Sequence, residues 1–283
     1  MKICVAGMGI IGGSICMALK RAGYTVAGWN RSAEPLIYAL SGGIIDEVAE
    51  SFSDFDVVFV ALPPEATVSF INSHEFKHNA VVSDICGVKE YIEKEVYKKP
   101  RSFRYVGCHP MAGKEVSGIE NACAELFDNA NMVITLSPET DKGALDIIRK
   151  LTKDMGFKYI VECTAEVHDK KIAYTSQLAH IVSNAYVKDS EFEGCSGFTG
   201  GSFQDMTRIA GVDAEVWTSL YLLNSENLSK NISSLISSLE ELKGAIDGGD
   251  EEKLKEILKI GATRFVGGKN LSEPPDISVR KIK

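Results

Sequence analysis

A glycine motif that begins at residue 7 constrains the fold of this chain more than any other feature. Residues 7–12 read Gly-Met-Gly-Ile-Ile-Gly, which is the spacing G-x-G-x-x-G. A β-type run over residues 2–6 precedes the motif, and a helical stretch over residues 10–21 follows it. In that context the glycines permit a tight turn, close approach of the backbone to a pyrophosphate, and tight packing of helix on strand. The motif therefore predicts a dinucleotide-binding site formed by Gly7, Gly9, Ile10, Ile11 and Gly12.

The end of the second β-type run indicates which nucleotide binds there. Sites for NAD usually carry an Asp or Glu about 20 residues beyond the motif, where it binds the ribose 2′-hydroxyl. Residues 28–32 instead read Gly-Trp-Asn-Arg-Ser, without an acid. Arg31 can pair with a 2′-phosphate, and Asn30 and Ser32 can add hydrogen bonds. We therefore expect NADP as the cofactor, with NAD as the alternative if Arg31 is only a solvated loop cation.

The predicted secondary structure changes at about residue 164. Before that point short β-type runs alternate with helical stretches, which predicts βαβ units and a mostly parallel sheet. The predicted strands cover residues 2–6, 25–29, 57–62, 80–84, 104–107, 131–136 and 158–161. After it, helical periodicity covers residues 166–187, 213–223, 225–246 and 250–265. We predict an α/β protein with a Rossmann-type nucleotide-binding domain (residues 1–163) followed by an all-helical substrate and dimerisation domain (residues 164–283).

Composition limits the partners. The net charge of −8 argues against nucleic acid, because phosphate binding requires a basic face. The longest apolar run, residues 57–62, is too short to cross a bilayer. Seven scattered cysteines without a C-x-x-C pair indicate reduced thiols, no structural metal site and a cytoplasmic location. The thin helical half is rich in Leu and Ile, so we expect it to bury an apolar face against a second copy as a homodimer.

One of the five histidines directly follows a predicted strand. His109 begins the segment His-Pro-Met-Ala-Gly, and the carboxyl ends of parallel strands line the ligand crevice. A neutral imidazole there can accept a proton from a substrate hydroxyl as a hydride leaves. The residues alone allow a structural histidine equally well. Leu62 and Pro63 end another strand and are expected to flank the cofactor, or to form a simple turn.

The helical half carries further candidates. His180 lies on a helix among apolar residues, and Trp217 also resembles a core residue. Arg208 follows Asp205 by three residues, so an intrahelical ion pair is one interpretation. The other interpretation is that Arg208 binds a substrate carboxylate through two parallel hydrogen bonds.

Four stretches of the chain resemble the prephenate/arogenate dehydrogenases, which are oxidoreductases of the tyrosine pathway. The stretches are residues 7–14, the His-Pro-Met-Ala-Gly segment with the Ser-Gly at residues 117–118, residues 166–180, and residues 200–217. The resemblance implies oxidative decarboxylation of a cyclohexadienol: a hydride passes to the nicotinamide, and loss of carbon dioxide makes the ring aromatic. It implies prephenate as the substrate, converted to 4-hydroxyphenylpyruvate, with arogenate as the alternative.

The resemblance also implies roles for individual residues. His109 takes the position of the catalytic histidine that draws the proton from the 4-hydroxyl, and Arg208 takes the position that binds the ring carboxylate. Three further residues match positions in the substrate pocket, namely His180, Gly201 and Trp217. Lys114, five residues after His109, is expected near the substrate side chain, where a cation favours the keto acid prephenate over the ammonium of arogenate.

One departure from the family pattern leaves two other functions open. The family often has Ser at the fourth position of Asp-x-x-Ser-x-Lys, and this chain has Gly87 there. A non-catalytic NADP-binding module would fit that loss. A β-hydroxyacid dehydrogenase or imine reductase would also join such a nucleotide domain to helices, but those enzymes commonly use a Lys in the helical domain, where this chain offers His180 and Arg208.

Overall fold

The first half of the chain is built on a parallel sheet. The structure is a computed structural model and describes residues 1–114, 116–267 and 280–281. Six strands form the sheet in the chain order β1 (Ile3–Ala6), β2 (Val26–Trp29), β3 (Glu47–Val48), β4 (Val57–Val60), β5 (Val81–Asp84) and β6 (Arg104–Tyr105). Their spatial order is β3-β2-β1-β4-β5-β6, and every neighbouring pair is parallel. The order reverses between β1 and β4, which is where such sheets bind ligands.

A second, smaller sheet continues from the edge of the first. Its strands are β7 (Gly107–Pro110), β8 (Asn131–Thr135), β9 (Tyr159–Cys163) and β10 (Arg280–Lys281), in the spatial order β10-β9-β8-β7. The strand predicted over residues 104–107 is thus two strands, because the extended chain leaves the first sheet after Tyr105 and enters the second at Gly107. β7 runs antiparallel to β8, and β8 and β9 are parallel. β10 pairs with β9, although residues 164–283 were predicted to belong to the helical half.

Helices cover both faces of the first sheet. They are α1 (Ile10–Arg21), α2 (Ala33–Ser41), α3 (Pro64–Ser73), α4 (Glu90–Tyr97) and α5 (Lys142–Asp154). The core on one face includes Ile15 of α1 and Ile148 of α5, and the core on the other includes Phe70 of α3 and Ile92 of α4. Full burial of such a side chain contributes roughly 1.5–3 kcal/mol, so helical periodicity selects the face that packs on the strands.

The second half is helical, as the periodicity predicted. Its helices are α6 (Ala165–Ile172), α7 (Leu178–Tyr186), α8 (Gly201–Thr207), α9 (Ala214–Leu223), α10 (Ser225–Asp247) and α11 (Glu251–Gly267). The helix predicted over residues 166–187 contains a π-helical turn at residues 173–177, between α6 and α7. Such a turn is common at functional sites. Throughout residues 1–114, 116–267 and 280–281, no helix is both long enough and apolar enough to cross a membrane.

A buried charged cluster connects β5 to β7. The ammonium of Lys89 and the carboxylate of Asp84 form an ion pair with no exposed side-chain surface. The hydroxyl of Tyr105 donates to the other carboxylate oxygen at 2.5 Å, and Lys89 also donates to the carbonyl of Cys108 at 2.5 Å. Burial, together with the neighbouring Asp84, raises the pKa of Tyr105 well above its usual value. Because Cys108 precedes His109, the cluster fixes the strand that carries the candidate base.

We expect Lys89→Met to lower the free energy of unfolding by about 3–5 kcal/mol, because the Asp84 carboxylate would stay buried without its cation. Urea denaturation at a fixed protein concentration measures the change. The matched control is Lys243→Met on α10, where Lys243 pairs with Asp247 at the surface and the loss should be about 1 kcal/mol or less. A small loss in both variants would contradict the structural role of the cluster.

Candidate active site

The glycine motif forms a tight loop between β1 and α1. Gly7 adopts φ +102°, a conformation that favours glycine, and its N–H donates to the carbonyl of Trp29 at 2.7 Å. A Cβ at Gly7 would lie 2.2 Å from the carbonyl oxygen of Ala61, and one at Gly12 would lie 1.8 Å from the carbonyl oxygen of Gly7. A Cβ at Gly9 would meet nothing within 4 Å. The loop is therefore closed by protein at two glycines and open at the third, where a pyrophosphate would approach.

The start of α1 offers hydrogen-bond donors to that open side. Gly9 is the N-cap residue of α1, and no side chain caps the helix. Ile10 and Ile11 begin the helix and are partly buried. The unpaired N–H groups of a helix start bind phosphate well, so the loop fits a dinucleotide.

Leu62, two residues after β4, lies beside the loop, and Pro63 follows it in the chain. The Cδ2 of Leu62 would be 3.0 Å from a Cβ at Gly7. The carbonyl of Leu62 accepts hydrogen bonds from the hydroxyl of Thr67 at 2.9 Å and from the thiol of Cys86 at 3.2 Å. Burial raises the pKa of Cys86 to about 12, so this thiol stays protonated and serves in structure rather than as a nucleophile. Pro63 is the N-cap residue of α3.

The three residues after β2 have different surroundings. The side-chain oxygen of Asn30 accepts from the N–H of Met8 at 3.0 Å, and its amide nitrogen donates to the hydroxyl of Ser32 at 3.0 Å. Asn30 therefore holds the glycine loop against the end of β2. Arg31 is exposed and forms no ion pair with any residue that the structure describes. Its guanidinium is accordingly available to an anion at this edge of the site.

His109 lies on β7 and is joined to the helical half by two further side chains. Its Nδ1 is 2.8 Å from Nε2 of His168, and Nδ1 of His168 is 2.6 Å from a carboxylate oxygen of Asp169. The carboxylate of Asp169 also accepts the backbone N–H groups of Lys89 at 2.8 Å and Glu90 at 2.9 Å. Asp169 thus connects α6 to the start of α4, and His168 and Asp169 are both buried.

The environment of His109 keeps its imidazole neutral. Burial lowers the pKa of His109 well below 6.5, and the neighbouring His168 and the ammonium of Lys89 lower it further. Burial likewise lowers the pKa of His168, although Asp169 opposes that change. A neutral imidazole has a lone pair and can accept a proton, so His109 meets the first requirement for a general base at neutral pH.

Gly87 lies next to the imidazole of His109, and a Cβ there would make ordinary van der Waals contacts. A Cβ at Gly87 would lie 3.7 Å from both Cε1 and Nε2 of His109, and 3.5 Å from Cδ2 of Leu220 on α9. Among the described residues, none forms a hydrogen bond with Nε2 of His109. A hydroxyl from Ser at this position would reach the ring, and its absence leaves Nε2 to another molecule.

The helical half contributes α9 to the surroundings of Gly87 and His109. Trp217 and Leu220 are three residues apart and share a face of this helix. The rings of Trp217 and His180 lie 3.9 Å apart between centroids. Nδ1 of His180 is 2.9 Å from the carbonyl of Ser176, so Nδ1 donates to that oxygen. Leu220 and His109 thus both border Gly87, and the helix that carries Leu220 also carries Trp217, which contacts His180.

The remaining candidates of the helical half lie at the two ends of α8. Gly201 is the exposed first residue of α8, and Arg208 follows the last residue of that helix. The carbonyls of Met206 and Ala210 accept hydrogen bonds from Ser183 at 2.6 Å and Asn184 at 3.2 Å. Because Ser183 and Asn184 belong to α7, the backbone around Arg208 lies against the helix that carries His180.

Lys114 contacts a segment that packs against α1. Its ammonium is 3.4 Å from the carbonyl oxygen of Asn121 and 3.4 Å from the sulfur of Cys123. The N–H of Cys123 donates to the hydroxyl of Ser14 on α1 at 3.1 Å. Its contacts therefore tie the end of the His-Pro-Met-Ala-Gly segment to the segment that packs on α1.

Sequence reasoning assigned no role to His168 or Asp169. Both lie within a stretch that carried the family resemblance, and a His-Asp pair at the start of a helix is the signal that could have singled them out. Within the described ranges, no group of three or more His, Cys, Asp or Glu side chains is placed to hold a metal ion.

We expect Gly9→Ala to affect cofactor binding and Gly12→Ala to affect stability. Gly9→Ala should leave the melting temperature nearly unchanged and weaken cofactor binding by at least about 10-fold, because a methyl group would occupy the side from which the pyrophosphate approaches. Gly12→Ala should destabilise the fold, because its methyl group would overlap the carbonyl oxygen of Gly7. Thermal melting and cofactor titration measure the two effects. Tight binding by Gly9→Ala would place the pyrophosphate elsewhere.

Comparison with known proteins identifies the family of this chain. The family models described as "Prephenate dehydrogenase, nucleotide-binding domain" and "Prephenate dehydrogenase, dimerization domain" match residues 15–161 and 164–260. The prephenate dehydrogenase of Bacillus subtilis is 29% identical over 272 residues, which is 91% of this chain and 73% of that protein.

Solved structures point to the same family. The crystal structure of prephenate dehydrogenase from Aquifex aeolicus with hydroxyphenyl propionate and NAD+ is 30% identical, covers 94% of this chain and 98% of its own, and superposes with a TM-score of 0.83. Synechocystis arogenate dehydrogenase is 26% identical, with coverage of 94% and 99% and a TM-score of 0.79. This chain therefore belongs to the prephenate dehydrogenase family, and it is a nicotinamide-dependent dehydrogenase.

Proposed function

We propose that this protein oxidises prephenate to 4-hydroxyphenylpyruvate, with loss of carbon dioxide and transfer of a hydride to NADP+. The observation that carries the proposal is the position of His109. Its neutral imidazole lies between the two domains, and its Nε2 lies toward Gly87. The match to both domains of the family and the curated relatives named prephenate dehydrogenase support the same reaction.

The chemistry assigned to the protein is proton transfer and orientation. The nicotinamide accepts the hydride from the substrate carbon that bears the 4-hydroxyl. Nε2 of His109 accepts the hydroxyl proton as that carbon becomes a carbonyl carbon. Loss of carbon dioxide makes the ring aromatic, and the same nitrogen returns the proton to the phenolic oxygen. Aromatisation drives the reaction, so orientation of the substrate matters more than strong acid or base catalysis.

Residues of the helical half would recognise the substrate. Arg208 is proposed to bind the ring carboxylate, since a guanidinium matches a carboxylate with two parallel hydrogen bonds. Trp217 and His180 would form a wall of the substrate pocket, and Gly201 would leave room at the start of α8. Lys114 would favour the keto acid over the ammonium of arogenate. Arogenate stays the second candidate, because a similar solved structure is an arogenate dehydrogenase.

The assembly proposed is a homodimer formed through the helical half. Large apolar side chains on α10 and α11 are exposed in a single chain, namely Ile236, Leu239, Ile246, Leu258 and Ile260. Surfaces of this kind usually mark an interface, and the matching family model is described as a dimerization domain. All seven cysteines are free thiols, which fits the reducing cytoplasm.

The proposed function is tested with His109→Asn. We expect kcat for prephenate to fall by about 10²–10⁴-fold, because the proton acceptor is lost, while the affinity for the cofactor stays the same. The assay follows the absorbance of reduced nicotinamide, with prephenate and arogenate tested in turn. The matched control is His78→Asn, since His78 is exposed. Wild-type turnover by His109→Asn would contradict the assignment, and no turnover of either substrate by the wild type would contradict the function.

The choice of cofactor is tested with Arg31→Ala. Loss of a guanidinium that pairs with a phosphate should raise the KM for NADP+ by about 10–100-fold and leave the KM for NAD+ nearly unchanged. Arg31→Lys is the matched control and should retain part of the preference, since it keeps the charge. A wild-type preference for NAD+ would contradict the proposal.

A further inference from the structure

We propose that His168 and Asp169 are positioning residues that hold the proton of the neutral His109 imidazole on Nδ1 and so leave the lone pair on Nε2. The inference rests on the proposed function for its consequence, because Nε2 is the ring nitrogen of His109 that lies toward Gly87 and has no hydrogen-bond partner among the described residues. The three side chains form a continuous line of hydrogen bonds from α6 to β7. The two distances are 2.6 Å between Asp169 and His168 and 2.8 Å between His168 and His109.

Asp169 determines which atoms donate and which accept along this line of hydrogen bonds. Both of its carboxylate oxygens accept backbone N–H groups, at 2.8 Å from Lys89 and 2.9 Å from Glu90. With both oxygens accepting backbone N–H groups, the side chain of Asp169 acts as a hydrogen-bond acceptor in this network. The 2.6 Å contact with His168 therefore requires a proton on Nδ1 of His168.

The position of the proton on His168 in turn determines which nitrogen of His109 carries a proton. Burial lowers the pKa of His168, so the ring is neutral and carries only one proton. Since that proton is on Nδ1, Nε2 of His168 is a hydrogen-bond acceptor. The 2.8 Å contact then requires Nδ1 of His109 to be the donor. A neutral His109 with its proton on Nδ1 offers the lone pair of Nε2 to the substrate.

The neighbouring groups do not compete for this arrangement. The ammonium of Lys89 is committed to Asp84 and to the carbonyl of Cys108. Gly87 provides no hydroxyl to orient Nε2. Among the residues that the structure describes, His168 is thus the hydrogen-bond partner that orients the catalytic ring.

The consequence for catalysis is large, because the wrong tautomer would present an N–H to the substrate hydroxyl. In serine protease triads, a carboxylate replacement that gives the wrong tautomer lowers kcat by about 10⁴-fold. Here the carboxylate acts through a second imidazole. As the base takes up its proton, the bond from Nδ1 of His109 to His168 strengthens and stabilises the imidazolium.

The test measures the tautomer directly. The full-length protein with bound NADP+ is labelled with ¹⁵N-histidine, and two-bond ¹H–¹⁵N spectra at slightly alkaline pH report which nitrogen of each ring carries the proton. The chain has only five histidines, and His109→Asn identifies the signals of His109. We expect His109 to be protonated on Nδ1. A wild-type spectrum with the proton on Nε2 would overturn the inference.

Two variants separate positioning from a merely structural role. In His168→Leu, the His109 signals should shift toward the Nε2–H tautomer, and kcat should fall by about 10–10³-fold while KM changes little. In His168→Gln, the side-chain carbonyl can still accept from Nδ1 of His109, so the tautomer and much of kcat should be retained. Unchanged His109 signals in His168→Leu would overturn the inference.

Failure of the proposed function would look different. The spectra do not depend on substrate, so the expected tautomer in a protein that turns over neither prephenate nor arogenate would refute the function and leave the relay in place. If His168→Leu does not fold, the wild-type spectrum still decides the question.

Discussion

The carboxylate of Asp169 is the contact on which the arrangement of this molecule depends. It lies on α6 of the helical half, is buried, and accepts two backbone N–H groups from the start of α4 in the nucleotide-binding domain. Removing a carboxylate from water costs several kcal/mol unless hydrogen bonds compensate. Here the two N–H groups and His168 supply that compensation. The same group that joins the two domains therefore also orients the imidazole that leads to His109.

A second buried charge complements the first. Lys89 and Asp84 form an ion pair inside the nucleotide domain, and Lys89 also holds the carbonyl just before His109. The backbone N–H of Lys89 binds Asp169, while its ammonium binds Asp84. One residue thus couples the strand that carries His109 to the helix that carries His168. The reaction rate falls steeply when a proton acceptor is misplaced. The fixed position that these contacts give His109 therefore serves the proposed chemistry.

Local patterns predicted the elements well and the contacts between distant residues poorly. The glycine spacing placed the nucleotide loop, and the periodicity of residues 10–21 matched α1 residue for residue. The split of residues 104–107 into β6 and β7 escaped prediction, because an extended run looks the same whichever sheet it joins. The burial of Lys89 also escaped prediction, since nothing nearby in the sequence indicates it. The bond between His109 and His168 joins positions 59 residues apart, beyond the reach of any local pattern.

The central claim is that Nε2 of His109 faces the reacting hydroxyl between the two domains. A crystal structure of the protein with NADP+ and a 4-hydroxyphenyl acid as a product analogue measures this most directly. The account predicts the phenolic oxygen within about 2.6–3.2 Å of Nε2 of His109, with the ring beside Trp217 and the nicotinamide on its other side. A phenolic oxygen that contacts other groups, with His109 facing only protein, would contradict it.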